Sequence, residues 1–359
     1  MNADNNLLVE LHRWAWRQDE NFTTEAFAHL LRHLLSEQPE AGLDLLELLI
    51  GSQGKISATE ASSVSIRTQE STEKHGIPDV RITAPGVLVF IEVKVGANVD
   101  EGQLRAYMQE LEQSGVAFTR LVLLTPYFPE LPSELERGVR PIRWYQVGDT
   151  LEGMLDQYEL SEVSCFLGSQ FEQFLQERKL VAAKVRSGVS TGLRAYLERA
   201  GDDSMFSRRV QSLEALADQS ELGALYDLLM LMGQVIAGHP DLPKPLFDSG
   251  QQQGGWIGYN IEQMKYFFCV YLADPEIVYL ERFKGGVDAA SFDSKVGRIY
   301  EAYKEPRWCN EFDLADPELE FFTGETGKAR QAEILEDFLS RSLEAARKLK
   351  PFRKPQEDV

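Results

Sequence analysis

The chain has 359 residues, 43% of them hydrophobic and 26% charged, which is typical of a globular protein and long enough for two domains. Its 37 basic and 57 acidic side chains give a net charge of −20, which counts against broad adhesion to polyanions. No apolar run approaches the roughly 18 residues that span a bilayer, and the three cysteines show no CxxC spacing. We therefore expect a cytoplasmic protein that has no membrane contact and no structural zinc.

Helical spacing dominates the first 50 residues. A first amphipathic helix is predicted over residues 5–17, with Leu7, Leu8, Leu11 and Trp14 on one side, and a third over 43–50. The second begins near Asn21 and Thr24, which are candidate N-caps, and its apolar stripe recurs at i, i+3, i+4 and i+7 from Phe27. Glu25 lies about 170° from that stripe, on the same line as Arg32. By spacing alone Glu25 is a solvated residue near a helix N-terminus, where the helix dipole favours an acid.

The period then shortens towards 2, which predicts strands. Residues 64–69 alternate and form the first strand, followed by a turn at 74–76. Residues 79–95 read as two further strands joined at Pro85-Gly86. Val87 to Ile91 is apolar at every position, as in a central strand that is covered on both faces.

This hairpin brings charged residues together. With Pro85-Gly86 as the turn, paired residue numbers sum to 171, so Asp79 lies opposite Glu92 with Cβ atoms roughly 5 Å apart. Glu92 and Lys94 point to the same face because side chains alternate along a strand. Pro-Gly suits a type II turn, which matches hairpin twist poorly, so a bulge that shifts this register by one stays an alternative.

The rest of the first half predicts a helix over 100–113, a fourth strand over 120–125, a fifth over 142–147 and a helix over 166–180. Gln103 and Tyr107 are i and i+4 on the first of these helices and reach the same side. The small and polar residues near 183–190 indicate a boundary. We expect domains over residues 1–184 and 185–359.

The second half predicts a smaller α+β domain. Helices are expected over 192–200, 205–237, 291–303 and 328–349, with a glycine- and glutamine-rich loop over 249–255. Three strands over 256–261, 266–273 and 277–283 have short gaps and predict an antiparallel meander. Residues 350–359 read as a frayed tail. This domain is expected to select substrate or to mediate oligomerisation.

The hairpin charges suit a hard metal ion. Asp79 and Glu92 supply carboxylates and Val93 a backbone carbonyl, which are the oxygen ligands that Mg²⁺ or Mn²⁺ prefers. Lys94 beside them would orient or deprotonate water, or stabilise charge on a phosphate. The alternative is structural, since Pro-Asp often begins a strand and Glu-x-Lys is often a surface ion pair worth about 0–1 kcal/mol.

These residues resemble the signature of the PD-(D/E)xK nuclease superfamily, in Pro78-Asp79 followed by Glu92-Val93-Lys94. The predicted order of helix, three antiparallel strands, helix and strand resembles the restriction-endonuclease-like core, an α/β fold with a mixed sheet, over about residues 20–180. The resemblance implies metal ligation by Asp79, Glu92, Val93 and Glu25, with Lys94 catalytic. It adds the Gln-xxx-Tyr element of Gln103 and Tyr107 as substrate or supporting residues, and we place Arg32 with them.

The resemblance implies an Mg²⁺- or Mn²⁺-dependent nuclease that hydrolyses phosphodiester bonds of DNA or RNA, in a setting such as bacterial genome defence or DNA processing. Nucleic acid, DNA in the first place, is the expected partner, and a homo-oligomer is compatible with the sequence. The alternative is a nucleic-acid-binding or regulatory module that retains the fold without turnover, which the net charge of −20 favours. A third interpretation is a metal-dependent enzyme that acts on a smaller molecule.

Overall fold

A computed structural model shows two compact units, residues 1–181 and 182–359. The division falls three residues before the expected boundary. The structure describes residues 6–54, 56–69, 76–96, 99–126, 131–191, 223–243, 245–250, 255–262, 265–271, 274–282, 286–288, 292, 296–302, 305–323 and 326–351.

The N-terminal unit combines five strands with seven helices within the described residues. The helices are α1 (Leu7–Ala15), α2 (Asp19–Glu37), α3 (Pro39–Ile50), α4 (Glu101–Gln113), α5 (Ser133–Gly138), α6 (Trp144–Gln157) and α7 (Glu162–Glu177). The strands are β1 (Ser65–Thr68), β2 (Val80–Ala84), β3 (Val87–Val93), β4 (Phe118–Thr125) and β5 (Val139–Arg143). Side-chain caps define several helix starts, as where Asp100 accepts hydrogen bonds from the Gly102 and Gln103 amides.

The five strands form one mixed sheet in the order β1-β2-β3-β4-β5. β1, β2 and β3 are antiparallel, whereas β3, β4 and β5 are parallel. Every pair between β2 and β3 sums to 171, from Val80–Ile91 to Ala84–Val87, so the predicted hairpin register is confirmed. Gly86 has φ +71°, the left-handed conformation that the second central residue of a type II turn requires.

Helices cover both faces of this sheet. One face packs on α2, α3, α6 and α7, and the other on α4 and α5. All seven residues of β3 are buried, which confirms that the apolar run is a central strand. Its charged carboxyl end therefore lies at the rim of a continuous core.

Two boundaries in this unit differ from expectation. The predicted strand over 142–147 is wrong beyond Arg143, because α6 begins at Trp144. Trp144, Val147, Leu151 and Met154 are all buried at helical spacing, and this packing decides against the short alternating pattern. The second helix begins at Asp19, ahead of the caps predicted at Asn21 and Thr24. Glu20 consequently lies in the first helical turn.

The C-terminal unit contains one antiparallel six-stranded sheet in the order β10-β11-β9-β8-β7-β6. The strands are β6 (Leu246–Gly250), β7 (Trp256–Ile261), β8 (Tyr266–Tyr271), β9 (Asp274–Arg282), β10 (Arg298–Ala302) and β11 (Glu305–Asp313). The helices α8 (Gly223–Gly238) and α9 (Lys328–Lys348) share a core with one face of this sheet. The expected meander is confirmed as β7, β8 and β9.

The helix predicted over 291–303 is wrong where the structure describes it, because Arg298–Ala302 is a strand that pairs with β11. Phe292, Val296 and Ile299 have helical spacing, but pairing of Ile299 with Trp308 prevails. The start of the expected glutamine-rich loop is the end of strand β6, with Gly250 opposite Trp256. The helix at 192–200, the first part of the one at 205–237, the turn residues Lys74 and His75 and most of the predicted tail lie outside the described residues.

Within the described part of the chain, no helix combines the length and apolar character needed to cross a membrane.

Candidate functional site

Asp79 and Glu92 meet at the end of the β2–β3 hairpin. The confirmed register, continued by one residue beyond Val80, places Asp79 opposite Glu92. Asp79 accepts a hydrogen bond at Oδ2 from the Val93 amide, 2.8 Å away. Glu92 is 3% exposed, and its Oε2 accepts no hydrogen bond in the described structure. A buried carboxylate oxygen without a donor is costly, so Glu92 is poised for a further partner.

Lys94 connects Glu92 to helix α2. Its Nζ lies 2.8 Å from Glu92 Oε1 and 3.0 Å from Glu20 Oε1. Lys94 is 7% exposed, whereas the Glu20 side chain is 30% exposed and opens the cluster to solvent. Three carboxylates therefore share one buried ammonium group, counting Asp79, whose pKa responds to the Lys94 charge.

The excess of carboxylates over ammonium groups shifts the pKa values of Glu92, Asp79 and Lys94. Burial, together with the neighbouring Asp79 charge, raises the pKa of Glu92 to about 7, against the opposing effect of Lys94. Burial and the Glu20 charge also raise the pKa of Asp79, opposed by the Val93 amide, by Lys94 and by a hydrogen bond with the Glu92 side chain. For Lys94, burial lowers the pKa, but the ion pairs with Glu92 and Glu20 outweigh burial and raise it. Lys94 is therefore an ammonium ion at neutral pH, while Glu92 is divided between its neutral and charged forms.

The Val93 carbonyl oxygen faces the same edge of the hairpin. The Lys94 amide donates to the Leu124 carbonyl on β4, 2.8 Å away, so one residue earlier the Val93 backbone groups point towards β2. There the Val93 amide reaches Asp79. The register residue opposite Val93 is Pro78, which has no N–H to donate. Continued to these positions, the register therefore gives the Val93 carbonyl no N–H donor from Pro78.

The backbone at Lys94 is fixed from two further directions. Trp144 is fully buried and donates from Nε1 to the Lys94 carbonyl, 3.1 Å away. Together with the bond to Leu124, this holds the residue after β3 in place. The site is therefore built on rigid elements rather than on a loop.

Gln103 and Tyr107 contact each other on α4, beside the cluster. Gln103 Nε2 donates to the Tyr107 hydroxyl at 2.7 Å, and Tyr107 is fully buried against Phe90. Burial raises the pKa of Tyr107 to about 12, opposed by the hydrogen bond from Gln103 and supported by the charges of Glu92 and Asp79. The tyrosine is therefore a neutral group that lines the site.

Glu25 and Arg32 are placed elsewhere. Glu25 is exposed, and none of the contacts of Asp79, Glu92 and Lys94 described above involves it. It is five residues from Glu20, or about 140° around the helix. Arg32 donates from Nε to the Ile66 carbonyl, 3.0 Å away, and so ties α2 to β1. The structure brings Glu20 to Lys94, where the resemblance had indicated Glu25.

Sequence reasoning missed Glu20 because it placed the helix start at Asn21, two residues later than the observed start at Asp19. The acidic pair Asp19-Glu20 was the available signal, since acids concentrate in the first turn of a helix. It also missed Arg143, which is 2% exposed and donates to Thr125 Oγ1 at 3.0 Å. Thr125 and Arg143 are register partners at the carboxyl ends of β4 and β5. Burial lowers the pKa of Arg143 to about 10, and it remains a cation at neutral pH.

The oxygen atoms of Asp79, Glu92 and Val93 fit a hard cation that takes few ligands from the protein and the rest from water. Two carboxylates and one carbonyl suit Mg²⁺, which usually keeps several waters and takes one or two protein carboxylates. No group of three or more His, Cys, Asp or Glu side chains in the described residues is arranged to hold a metal ion. Comparison with known protein families, curated proteins and solved structures finds no match to this chain.

Proposed function

We propose that the N-terminal unit is an Mg²⁺- or Mn²⁺-dependent nuclease that hydrolyses phosphodiester bonds, with DNA as the first candidate substrate and RNA as the second. The observation that carries the proposal is the buried pair of Asp79 and Glu92, whose two carboxylates share the single ammonium group of Lys94, with Glu92 Oε2 accepting no hydrogen bond in the described structure. A restriction-endonuclease-like identity for the sheet and its helices is part of this proposal.

Asp79, Glu92 and the Val93 carbonyl would hold the metal, which would polarise a phosphate oxygen and lower the pKa of a bound water. The raised pKa of Lys94 keeps it protonated at neutral pH, so it is not available to accept a proton. Its role in the proposal is therefore to stabilise negative charge that develops on the phosphate, as a fixed ammonium ion. Glu20 positions Lys94 through the ion pair at 3.0 Å. Gln103 and Tyr107 shape the neighbouring wall.

A second candidate is a nucleic-acid-binding or regulatory module without turnover. The net charge of −20 favours the regulatory form of this candidate, because an acidic body weakens polyanion binding unless a cation intervenes. The ion pairs of Lys94 with Glu20 and Glu92 also favour it, because they engage the ammonium that would meet a phosphate.

The test is to incubate the purified full chain with single- and double-stranded DNA and RNA in Mg²⁺, Mn²⁺ or EDTA. We expect metal-dependent cleavage that Asp79→Ala and Lys94→Ala each lower at least about 100-fold, since removal of one preorganised charge costs that much. Cleavage that survives both substitutions rejects this site. Binding without cleavage in every metal supports the second candidate.

Glu20→Gln and Glu25→Gln form a matched pair on one helix. Glu20→Gln should lower cleavage about 10–100-fold, as loss of a positioning partner does. Glu25→Gln should change it less than about twofold, within the small effects of exposed substitutions. The opposite result would transfer the supporting role to Glu25.

A further inference from the structure

Helix α1 presents an apolar stripe to solvent. Leu7, Leu11 and Trp14 recur at i, i+4 and i+7, and they are 52%, 49% and 91% exposed. Sequence periodicity grouped these residues with Leu8 as one side of an amphipathic helix, the side that normally packs on a core. In the folded unit Leu8 and the buried His12, one turn apart, pack inwards, whereas Leu7, Leu11 and Trp14 face solvent.

The helix is firmly attached, so the stripe belongs to a fixed surface. Asn6 caps the helix through Val9 and donates to the Gln170 carbonyl on α7 at 2.8 Å. His12 lies edge-on to the Phe174 ring, with centroids 5.6 Å apart, and its Nε2 is 2.7 Å from Asp19 Oδ1. Because these contacts fix the orientation of α1, they also fix the direction in which its exposed apolar stripe faces.

Helix α7 carries two further exposed apolar residues, in the turns that precede its contact with the start of α1. The Leu7 amide bonds to the Gln170 side chain, and Phe166 lies one turn before Gln170 on the same side of α7. Val163 is a further three residues back, and both are well exposed, at 59% for Val163 and 44% for Phe166. We call the set of Leu7, Leu11, Trp14, Val163 and Phe166 the α1–α7 patch.

The size of the α1–α7 patch matches half of a small dimer interface. From the exposed fractions, the five side chains present on the order of 300–500 Å² of apolar surface. Homodimer interfaces of about 600–800 Å² per partner that are about 65% apolar need about 390–520 Å². The patch therefore supplies most of the apolar area that one partner must contribute.

The charges beside the patch are complementary to their own copy. Glu10 and Arg13 form an exposed ion pair at 2.6 Å, both on one flank of the stripe. When two such helices pack antiparallel about a two-fold axis, identical flanks face each other. Glu10 of each copy then faces Arg13 of the other. This self-complementarity locally offsets the repulsion expected between two bodies of net charge −20.

We infer that two copies of this chain associate through the α1–α7 patch, with α1 antiparallel to its symmetry mate across a two-fold axis. The inference does not depend on the proposed nuclease activity.

The test is sedimentation velocity of the full chain over a concentration series. The wild type should show a monomer–dimer equilibrium, and Leu11→Glu should raise its Kd at least about 30-fold, as expected for a central contact worth about 2 kcal/mol. Leu246→Glu is the matched control, because Leu246 is 50% exposed and lies on β6, outside the patch. It should leave the Kd unchanged, and thermal melting should show that both variants fold.

A mixing experiment tests the two-fold geometry. Glu10→Arg and Arg13→Glu should each dimerise more weakly than wild type, because like charges then face each other. Mixing the two variants should restore association at least about tenfold relative to either alone, because opposite charges meet again in the mixed dimer.

Several outcomes overturn the inference. A wild type that stays monomeric at all concentrations rejects it, as does a dimer that Leu11→Glu leaves intact. A monomer that floats with phosphatidylcholine vesicles would assign the patch to a lipid surface instead. Failure of the mixed variants to associate would reject the antiparallel arrangement.

Discussion

Each unit of this protein buries a glutamate in its sheet, and the two are satisfied differently. Glu92 in the N-terminal unit is 3% exposed, and Glu281 in the C-terminal unit is 4% exposed. Glu92 Oε1 contacts Lys94, whereas its Oε2 accepts no hydrogen bond in the described structure. Glu281 accepts hydrogen bonds at both oxygens, from Tyr271 at 2.5 Å and from Tyr300.

The groups around Glu281 and Glu92 also differ in charge. Glu281 lies among neutral groups, since burial raises the pKa of Tyr271, of Tyr300 and of Cys309, that of Cys309 to about 12. Glu92 instead faces a second carboxylate, Asp79, which burial also pushes towards its neutral form. Equal burial thus accompanies a satisfied carboxylate in one sheet and an undersatisfied one in the other. Undersatisfied charge of this kind is typical of functional sites, where stability is given up for chemistry.

The largest expected effect is on cleavage. Glu92→Gln should lower metal-dependent cleavage at least about 100-fold if Glu92 ligates the metal as proposed, because it removes the charge of that ligand. Glu281→Gln makes the same substitution at a buried glutamate of the other sheet. It should leave turnover per folded molecule within about twofold of wild type. Gel-based cleavage assays on both variants, normalised to folded protein, check the comparison. Equal losses would mean that Glu92 is no more functional than Glu281.

The second-largest expected effect is a pH dependence of the stability of the N-terminal unit, which arises from Glu92. The pKa of Glu92 is raised in the folded state from 4.5 to about 7, so its favourable contribution is complete below pH 4.5 and is lost as the pH rises through about 7. The free energy of unfolding of the N-terminal unit should fall by up to about 3 kcal/mol across that window. Hydrogen exchange of β3 amides in urea measures this unit by itself.

Glu92→Gln should remove most of that slope, whereas Glu281→Gln should retain it. Saturating Mg²⁺ should flatten the slope in the wild type, because a bound cation favours the ionised carboxylate. A wild-type stability that rises between pH 4.5 and 7 would contradict the direction of the Glu92 shift.

The smallest effect concerns the wall of the site. Tyr107→Phe removes the hydroxyl that Gln103 contacts at 2.7 Å, which should cost about 1 kcal/mol of stability. Cleavage should fall less than about tenfold, because the hydroxyl lines the site rather than carrying charge. Gln103→Ala should have a similar effect, and the double variant should be no worse than either alone. A loss of more than about 100-fold with normal stability would place Tyr107 among the reacting groups.

Much of the N-terminal sheet could be predicted from local pattern. The run from Val87 to Ile91 indicated a central strand, and a two-residue turn determined a register that the structure matches. Given that register, the meeting of Asp79 with Glu92 followed from strand geometry alone. The meander β7–β9 was predictable for the same reason, because short gaps leave antiparallel pairing as the simple solution.

The remaining features depend on contacts between residues distant in sequence. Ile299 has helical spacing but forms a strand, because pairing with Trp308 satisfies its backbone. Glu20 reaches Lys94, 74 residues away, only because α2 begins earlier than its candidate caps. Which side of α1 is buried was likewise decided by Gln170 and Phe174 on α7.

The sequence by itself therefore determined the strand that carries Glu92 and Lys94 and the turn that brings Asp79 beside them. These are local properties, set by side-chain alternation and by the conformations open to proline and glycine. Only the tertiary structure decided that Glu20 completes the cluster, that Glu92 lacks a donor and that Leu11 faces solvent. Burial and partner choice depend on packing across the whole unit, which no local pattern encodes.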